Sequence, residues 1–386
     1  MSFIENLKIQ PDQLSERKNC VTCETGELKH HRTINQFPVY MGTTNKSRKD
    51  DLFADQIWGE CQNCGCLQLQ QLLPLDILYS ENHSSGAVGQ MWVRHHLEFA
   101  KFIVRNEPTE ILEIGAAHGI LARNILQIKP NMKYAIIEPS PSSIPSEVTL
   151  IQDYIENRLD LVARAKVIVH SHLIEHLYEP AKFIRNLGEL IPQNSYMYIS
   201  FPNIEKLIKT GGTNSLNFEH TYYLYPSQLQ YILEKNSFLV EELTSFEEHS
   251  YFIRCRKTNN LRADNNIPNI TKFIEDFDRM WDNLNLLVKK LNEISIEPKG
   301  KIFLFGAHVF SQGLISLGLN LTHISGVIDN APEKQGQRLY GTDLLVFSPE
   351  IVRGVQNCTV ILKASHYQEE IKSQLLAINP SVCIIE

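Results

Sequence analysis

From about residue 88 onward, short apolar runs alternate with longer stretches whose apolar positions recur at helical spacing. Short apolar runs bounded by turn residues are typical of buried strands. In TEILEIGAAHGILARNIL, residues 111–114 fit such a strand, residues 115–119 a tight turn, and residues 120–126 the apolar face of a helix. This alternation predicts an α/β fold built on a doubly wound parallel sheet.

Further apolar runs extend the predicted sheet to about residue 257. The candidate strands are KYAIIEP, EVTLIQD, KVIVHSH, SYMYISFPN, FLVEELTSF and SYFIRCRK, and a helix PSQLQYILEKNSF precedes the last two. In an open parallel sheet, ligands bind beyond the carboxyl ends of the strands. Polar residues at those ends are therefore the candidates for chemistry.

The distal third begins with a long amphipathic stretch. Residues 270–291 carry large apolar side chains at helical spacing, which predicts a long, buried helix that bridges two domains. KIFLFGAHVFSQGLISLGL and HISGVIDNAPEKQG then predict a second nucleotide-type fold, with a strand that ends at Asp329. Since only Gly306 interrupts its first turn, we expect this fold to form a wall of a substrate pocket rather than a second cofactor site. Lys334 and Arg338 have two interpretations: they neutralise a diphosphate, or they lie on an exposed loop.

Length and composition add limits. The chain has 386 residues, more than one hydrophobic core usually fills, which predicts two or three domains. No apolar run is long enough to span a membrane, and the N-terminal MSFIENLKIQPDQ lacks the features of an export signal. The net charge is -7 and no basic stripe is visible, which disfavours binding to nucleic acid phosphates. We therefore expect a cytoplasmic protein without a membrane or nucleic-acid partner.

Five of the eight cysteines lie near the N-terminus. NCVTC and CQNCGC place Cys20, Cys23, Cys61 and Cys64 in two pairs with the i, i+3 spacing that points both sulfurs at one ion. Two such pairs complete a tetrahedral Zn²⁺ site without an open position, so we predict structural zinc in a small N-terminal module. Two disulfides are the alternative, which a reducing cytoplasm disfavours. Cys66 is either a substitute ligand or a core residue carried by the following strand.

The turn GAAHG is the candidate cofactor site. Gly115, Ala117 and Gly119 let a ligand approach the backbone closely. A dinucleotide normally requires a third glycine, at a helix N-terminus, to receive its pyrophosphate, and this turn has only two. The features that would bind a diphosphate are therefore weak.

Acidic residues near three strand ends favour S-adenosylmethionine over NAD. Glu113 precedes the turn, where a negative charge suits a sulfonium or an amino group better than a diphosphate. Glu138 ends the next strand, in the position that commonly accepts the ribose hydroxyls. Asp153 ends the third strand and fits a contact with the adenine amine, or alternatively caps the helical segment that follows.

A group of histidines and acids lies at the next strand end. KVIVHSHLIEHLYEP places four such side chains at or beyond it: His170, His172, Glu175 and His176. Among them we expect His172 to contact the cofactor. The segment NSLNFEHTYYLYP delivers Glu219 and His220 to the same rim. This pair is either an acid/base couple that faces a substrate or the polar rim of an aromatic core.

Several segments together carry a resemblance to a known family. CVTC, CQNCGCLQL, EILEIGAAHG, HLIEHLYEP, FGAHVFSQGL and VIDNAPEKQGQRLYGT resemble the three-part, S-adenosylmethionine-dependent C-methyltransferases that act on nucleotide-linked deoxysugars. The resemblance covers nearly the whole chain. It implies a zinc-binding module at residues 1–80, a class I methyltransferase domain at 88–257, and a bridging helix with a second Rossmann-like domain at 265–386. We expect a monomer or weak homo-oligomer whose partner is a nucleotide-diphosphate sugar.

The resemblance also implies a reaction. In that family the sugar carries a 4-keto group, a histidine removes the C3 proton, and the enolate attacks the methyl group of the cofactor. Glu219 and His220 match the Glu-His pair of the family, and His176 matches its strand-end histidine. Elementary chemistry agrees, because a proton beside a carbonyl leaves only with a positioned base and a donor for the developing oxyanion.

The chain departs from the family pattern at three positions. Asn217 replaces a tyrosine that often lies three residues before the base. A second family tyrosine, ahead of a Ser-Ser pair, corresponds to Tyr79 or to His83, and we predict Tyr79 to be catalytic. His118 lies where relatives often carry aspartate. These departures bear on the substrate and on the methylated atom.

Three other functions fit parts of the pattern. An O-methyltransferase would use the same histidine to deprotonate a hydroxyl group. A binding or scaffold protein would keep the Rossmann-like folds without any chemistry. An NAD-dependent oxidoreductase would bind NAD more tightly than S-adenosylmethionine. The C-methyltransferase is the leading hypothesis.

Overall fold

The N-terminal part forms a small sheet around one central strand. The computed structural model describes residues 7–9, 13–79, 89–212, 216–259, 266–294, 300–363 and 368–386. The first elements are β1 (Leu7–Lys8), β2 (Ser15–Glu16), β3 (Leu28–Pro38), β4 (Thr43–Thr44), β5 (Leu52–Cys61), β6 (Leu67–Leu69), β7 (Gln71–Leu72) and the short helix α1 (Leu75–Leu78). β1 pairs with β5 in parallel, β3 and β6 pair with it antiparallel, and β2 pairs with β7.

The central part is a seven-stranded sheet flanked by helices. Its strands are β8 (Glu110–Ile114), β9 (Lys133–Ile137), β10 (Thr149–Ile151), β11 (Val167–Ser171), β12 (Tyr196–Pro202), β13 (Phe238–Phe246) and β14 (Ser250–Lys257). Its helices are α2 (Gln90–Val104), α3 (Ile120–Ile128), α4 (Leu159–Val162), α5 (Pro180–Leu190), α6 (Ile204–Lys209) and α7 (Pro226–Lys235).

The strand order confirms the predicted doubly wound α/β fold. It is β10-β9-β8-β11-β12-β14-β13, and β14 runs antiparallel to both of its neighbours while the other pairings are parallel. The chain starts at β8, moves outward on one side, and returns to β11 on the other. The loops after β8 and β11 therefore meet at the switch point where open sheets bind ligands.

The C-terminal part is a second parallel sheet. Its elements are α8 (Thr271–Ile294), β15 (Ile302–Phe305), α9 (Val309–Ser316), β16 (Ile324–Ile328), β17 (Arg338–Leu339), β18 (Val346–Phe347), β19 (Thr359–Ile361), α10 (Gln368–Ile378) and β20 (Cys383–Ile385). The strand order is β18-β16-β15-β19-β20, with parallel pairing throughout. Among the helices described, none is both long and apolar enough to cross a membrane.

Helix α8 is the long buried helix that its sequence predicts. Phe273, Phe277 and Trp281 are buried along it. The ring centre of Phe277 lies 5.9 Å from that of Trp58 in β5, and Trp58 stacks on Tyr223 at 4.7 Å. Burying each such ring contributes about 1.5–3 kcal/mol. α8 therefore shares one core with the N-terminal sheet and with the C-terminal sheet.

A buried ion pair also joins the N-terminal and C-terminal parts. Arg338 donates from its two Nη atoms to the two carboxylate oxygens of Asp51, at 2.7 Å each, and the Asp51 side chain is fully buried. The Gly341 N–H donates to the same carboxylate at 2.9 Å, and β17 pairs with β4. Lys334 instead pairs with Asp329 at 3.2 Å. Arg338 thus holds two parts of the protein together, a role that neither sequence interpretation anticipated.

Candidate active site

The turn after β8 has the backbone shape of a ligand-binding loop. Gly115, Ala117 and Gly119 have φ values of 74°, 45° and 58°, a left-handed conformation that is easy for glycine and costs about 1–2 kcal/mol for other residues. The Ala117 N–H donates to Glu138 Oε2 at 3.0 Å, and the Ser140 N–H donates to Oε1 at 2.9 Å. The carboxylate that follows β9 therefore lies directly against the turn.

Two other predicted cofactor residues have different surroundings. Glu113 lies within β8, is 2% exposed, and accepts a hydrogen bond from the Tyr134 hydroxyl at 2.8 Å. Burial raises the pKa of Glu113 to about 7. Asp153 Oδ1 accepts hydrogen bonds from the Tyr154 N–H and the Asn157 side-chain amide, both at 2.8 Å, so it contacts the segment that follows the strand without capping a helix. A role for either acid in cofactor binding stays a prediction.

The loop after β11 packs against the glycine turn. His172 follows β11 directly and has a φ of 51°. Its Nδ1 lies 2.8 Å from Glu175 Oε1, and its Nε2 lies 3.0 Å from Ser250 Oγ. A Cβ atom added to Gly115 would lie 3.0 Å from Leu173 Cδ1, so the two loops are in close contact. His172 therefore lies at the switch point.

Glu175 is the buried negative charge of this loop. Burial by itself would raise its pKa, but the nearby His172, His176 and His220 lower the pKa to about 2. Its Oε2 has no hydrogen-bond partner within the described ranges. Glu175 therefore stays ionised at neutral pH.

Backbone pairing to β6 holds the segment that carries Glu219 and His220. An N–H group of β6 donates to the Thr221 carbonyl at 2.8 Å, and a carbonyl of β6 accepts the Tyr223 N–H at 3.0 Å. The buried Arg17 guanidinium also donates to the Thr221 carbonyl, at 2.9 Å. The N-terminal part of the protein therefore sets the position of this segment.

Asn217 sets the direction of the Glu219–His220 pair. Its Oδ1 accepts both backbone N–H groups of the pair, at 2.8 Å each, in an Asx-type turn. The flanking Phe218 and Tyr222 are buried, whereas Glu219 and His220 are partly exposed. The pair thus forms the polar edge of an aromatic core and at the same time faces the loop after β11.

His176, Glu219 and His220 form one group. The ring centres of His176 and His220 are 4.7 Å apart, and His176 Nδ1 lies 3.6 Å from Glu219 Oε2. Burial, together with the neighbouring His176, lowers the pKa of His220 to about 3. At neutral pH His220 is therefore an uncharged imidazole with one nitrogen that can accept a proton. His220 also lines a small cleft with Glu175 and Phe201.

Tyr79 follows α1 and lies near the same carboxylates. Its side chain is 47% exposed. Partial burial of the hydroxyl and the charges of Glu219 and Glu175 raise its pKa, so the phenol is protonated at neutral pH and can donate a hydrogen bond. The alternative family position, His83, lies outside the described residues.

His170 does not reach the rim, which corrects the sequence interpretation. β11 continues to Ser171, and His170 is fully buried within the strand. Neither of its ring nitrogens has a hydrogen-bond partner in the part of the chain that the structure describes, and burial lowers its pKa to about 4. The end of β11 lies further along the chain than the apolar pattern suggests.

The predicted cysteine ligands converge on one point. The four side chains are at most 1% exposed, and their sulfurs lie within 4.8 Å of one another. The sulfurs of Cys20 and Cys64 are 3.6 Å apart, as are those of Cys23 and Cys61. Sulfurs about 2.3 Å from a tetrahedral Zn²⁺ lie about 3.8 Å from one another, whereas a disulfide requires about 2.05 Å. The arrangement fits a metal site and not two disulfides.

Two residues next to the cysteine cluster show how tightly it is packed and which cysteines belong to it. A Cβ atom at Gly26 would lie 2.2 Å from Cys61 Sγ, so a larger residue cannot occupy that position without moving the sulfur. Cys66 lies outside the group of four, and its Sγ donates to the Tyr223 carbonyl at 3.6 Å. Cys66 is therefore a core residue, which was the second of the two sequence interpretations.

Comparison with known proteins points to one class. Residues 90–243 match the family model Methyltransf_23, described as a methyltransferase domain, and no curated protein matches the chain. The fold is similar to a putative O-methyltransferase from Nostoc punctiforme (13% identity over 43% of this chain and 57% of that chain, TM-score 0.36). It is also similar to a possible histamine N-methyltransferase from Thermotoga maritima (13% identity, 44% and 90%, TM-score 0.34). The chain thus spans little more than half of the first of these structures.

The family match begins with α2 and ends within β13, so it coincides with most of the seven-stranded sheet. The central part of the protein therefore has the fold of a class I methyltransferase domain. The match leaves the methyl acceptor unspecified.

Proposed function

We propose that the protein transfers a methyl group from S-adenosylmethionine to C3 of a nucleotide-linked 4-keto-deoxysugar. The observation that best supports this is the group of His176, Glu219 and His220, beside a loop that contacts the glycine turn through Leu173. A base next to the methyl donor suits an acceptor that must first lose a proton. A carbon beside a carbonyl is such an acceptor.

The glycine turn and Glu138 would hold S-adenosylmethionine, which supplies an electrophilic methyl group when bound. Glu138 already uses one lone pair of each oxygen for the backbone N–H groups of Ala117 and Ser140. The remaining lone pairs suit the two ribose hydroxyls. His172, at the adjoining strand end, would form the other wall of this site.

His220 is the proposed base. Its neutral imidazole takes the C3 proton, the C–H electron pair moves into the ring carbon–carbon bond, and the 4-keto oxygen becomes an enolate oxyanion. Tyr79 and His176 are the donors available to that oxygen. Glu219, 3.6 Å from the His176 ring, orients that ring. The enolate carbon would then bond to the methyl group while the methyl–sulfur bond breaks, and the electron pair of that bond would stay on the sulfur of the departing neutral thioether.

Loss of an isotopic label tests carbon attack. A 4-keto sugar nucleotide deuterated at C3 is incubated with the enzyme and S-adenosylmethionine, and the methylated product is analysed by mass spectrometry. Methylation at C3 requires that the deuterium be lost. A methylated product that keeps the label would show transfer to oxygen instead, with the same histidine acting on a hydroxyl. Absence of S-adenosylmethionine binding by calorimetry would favour a binding protein.

We also propose that the four cysteines bind one structural Zn²⁺. The ion would fix the chain around Cys61 and Cys64, and β6 follows these residues by a few positions. β6 in turn pairs with the segment that carries His220. Zinc would therefore act on catalysis only indirectly, by keeping β6 in place.

Substitution beside the cluster tests the zinc proposal. Gly26→Ala forces a Cβ atom against Cys61 Sγ, so we expect the variant to lose one Zn²⁺ per chain by elemental analysis and to lose turnover with it. Gly313→Ala is the matched control, because that glycine, like Gly26, has no positive φ, but it has open space where a Cβ atom would lie. Retention of the wild-type zinc content by Gly26→Ala would contradict the assignment.

A further inference from the structure

Arg17 is a buried cation in the N-terminal part of the protein. It follows β2 directly and is 8% exposed. Its backbone N–H donates to the Gln70 carbonyl at 2.8 Å, which fixes the point from which the side chain starts. The proposed steps of methyl transfer assign no role to this side chain.

The guanidinium of Arg17 binds three separate segments of the chain. Its Nη1 donates to a carbonyl of β6 at 3.2 Å and to the Thr221 carbonyl at 2.9 Å. Its Nη2 donates to the Tyr178 carbonyl and to Thr221 Oγ1, at 3.0 Å each. Tyr178 comes two residues after His176, and Thr221 comes directly after His220. One side chain therefore connects the two backbone segments that carry these histidines.

Tyr222 forms a second link between the same two segments. Its hydroxyl donates to the Ile174 carbonyl, and both residues are buried. Ile174 comes two residues before His176. The carbonyls two residues before and two residues after His176 are therefore both tied to the segment that carries His220, the first through Tyr222 and the second through Arg17.

The chemistry of the Arg17 contacts favours a role in geometry. All four acceptors of its side chain are uncharged oxygens. A buried cation that binds neutral oxygens is costly for stability compared with one that lies beside a carboxylate. A guanidinium is planar and holds its N–H groups at fixed angles, so it can fix several carbonyl groups relative to one another, whereas a lysine ammonium cannot.

We propose that Arg17 and Tyr222 are positioning residues that set the separation between His176 and His220. The two ring centres are 4.7 Å apart. The proposal rests on the proposed function, in which His220 removes a proton and His176 is a donor to the resulting oxyanion. Both groups have to reach one reacting centre at the same time, and a misplacement of about 1 Å can lower turnover by about 100-fold.

A nuclear Overhauser effect between the two histidine rings measures their separation without any assay of methyl transfer. The full-length protein is prepared with isotope-labelled histidines, and His176→Gln and His220→Asn assign the ring signals. We expect the wild-type protein to give a cross-peak between the rings. Arg17→Lys and Tyr222→Phe should each weaken or abolish it, because each removes one of the two links.

Turnover of the folded variants tests whether the separation matters for the reaction. Arg17→Lys should lower kcat by about 10–100-fold and leave the Kd for S-adenosylmethionine near the wild-type value. In a His220→Asn background the same substitution should lower kcat much less, because the base that Arg17 positions is absent. A substitution that only destabilises the fold would lower kcat equally in both backgrounds.

Arg338→Lys is the matched control for both measurements. Arg338 is also largely buried and joins distant parts of the chain, but it does so through its ion pair with Asp51. Its substitution should lower the stability of the protein. The cross-peak and the kcat of the folded enzyme should stay near the wild-type values.

A wild-type protein without the cross-peak, or an unchanged cross-peak in the folded variants, would overturn the proposal. An equal loss of kcat with and without His220 would also overturn it. Tyr222→Phe, measured in the same two ways, decides the matter if Arg17→Lys fails to fold. The cross-peak needs neither the sugar nor S-adenosylmethionine, so failure of the proposed function would leave it unchanged. Failure of the positioning proposal would in turn leave the methylated product and its isotopic label unchanged.

Discussion

The two doubly wound sheets share one hydrogen-bond arrangement at the turn after their first strand, but they differ in the side chains around it. In each, the first strand leads into a glycine-containing turn, and an acid after the second strand accepts an N–H group of that turn. Ala117 donates to Glu138 at 3.0 Å in the central sheet, and Ala307 donates to Asp329 at 2.8 Å in the C-terminal sheet. The backbone arrangement is therefore repeated within one chain.

The two turns differ in the charge that lies beside the acid. Lys334 pairs with Asp329 at 3.2 Å, and both side chains are only 13% exposed. Glu138 forms no ion pair among the described residues. An aspartate that is already neutralised by a lysine is a poor acceptor for ribose hydroxyls, because the ion pair would have to open first. That the C-terminal sheet binds no second cofactor stays a prediction.

The rims of the two sheets differ as well. Imidazoles and carboxylates surround the loop after β11, whereas the C-terminal turn carries His308, an uncharged and largely buried ring. A fold therefore does not determine a function, since the side chains placed at the strand ends do so. The following substitutions test this difference between the sheets, from the largest expected effect to the smallest.

Loss of the proposed base should have the largest effect. His220→Asn removes the proton acceptor while keeping a polar side chain of similar shape, so we expect kcat to fall by about 10²–10⁴-fold. S-adenosylmethionine binding, measured by calorimetry, should stay near the wild-type value. The control in the other sheet is His308→Asn, which should leave turnover close to normal. Near-normal turnover of His220→Asn would remove this residue from the mechanism.

Breaking the ion pair between the N-terminal and C-terminal parts should mainly affect stability. Arg338→Ala leaves the buried Asp51 carboxylate without its cation, which costs about 3–5 kcal/mol of unfolding free energy. Chemical denaturation measures this loss. Arg353→Ala, whose side chain is 64% exposed in its pair with Glu350, should change stability by about 0.5 kcal/mol or less. Equal effects of the two substitutions would contradict a structural role for Arg338.

The two acids of the glycine turns should differ in cofactor binding. Glu138→Ala removes the proposed acceptor of the ribose hydroxyls, and hydrogen bonds to a charged group contribute about 1.5–3 kcal/mol. We therefore expect the Kd for S-adenosylmethionine to rise by about 10–100-fold in calorimetry. Asp329→Ala should leave this Kd unchanged. An equal loss in both variants would mean that the C-terminal turn also contributes to the cofactor site.

The smallest expected effect is on the pH dependence of the free energy of unfolding, through His308 in the C-terminal turn. Burial lowers the pKa of His308 to about 4, whereas a histidine in the unfolded chain titrates near 6.5. Between these pH values the unfolded state binds more protons, so His308 makes stability fall as the pH is lowered from about 6.5 to about 4. His308→Gln should reduce that pH dependence in denaturation curves. A His308→Gln variant with the same pH dependence as the wild-type protein would refute the assignment.

Local and periodic patterns in the sequence were sufficient to predict most of the strands and helices that form the central sheet and α8. The apolar alternation predicted the strands of the central sheet and the first two strands of the C-terminal sheet, and the spacing over residues 270–291 predicted α8. The CxxC spacing placed the two cysteines of each pair on one side of a tight turn, whereas the meeting of the two pairs depends on contacts 38 and 44 residues apart in the chain. The glycines of the first turn likewise marked positive φ values.

Long-range packing decided the rest. Arg17 holds Thr221, 204 residues away, and Arg338 holds Asp51, 287 residues away, with no local pattern to indicate either contact. The pattern also placed His170 at the rim, whereas the extent of pairing between β11 and β12 buries it.

The sequence by itself therefore determined which residues form strands, turns and the two closely spaced cysteine pairs, because those choices depend on neighbours a few positions away. Only the tertiary structure decided which strand end faces which, and so brought His176 within 4.7 Å of His220. Such contacts depend on how separate apolar faces pack together, and the free energy of that packing is a property of the whole chain.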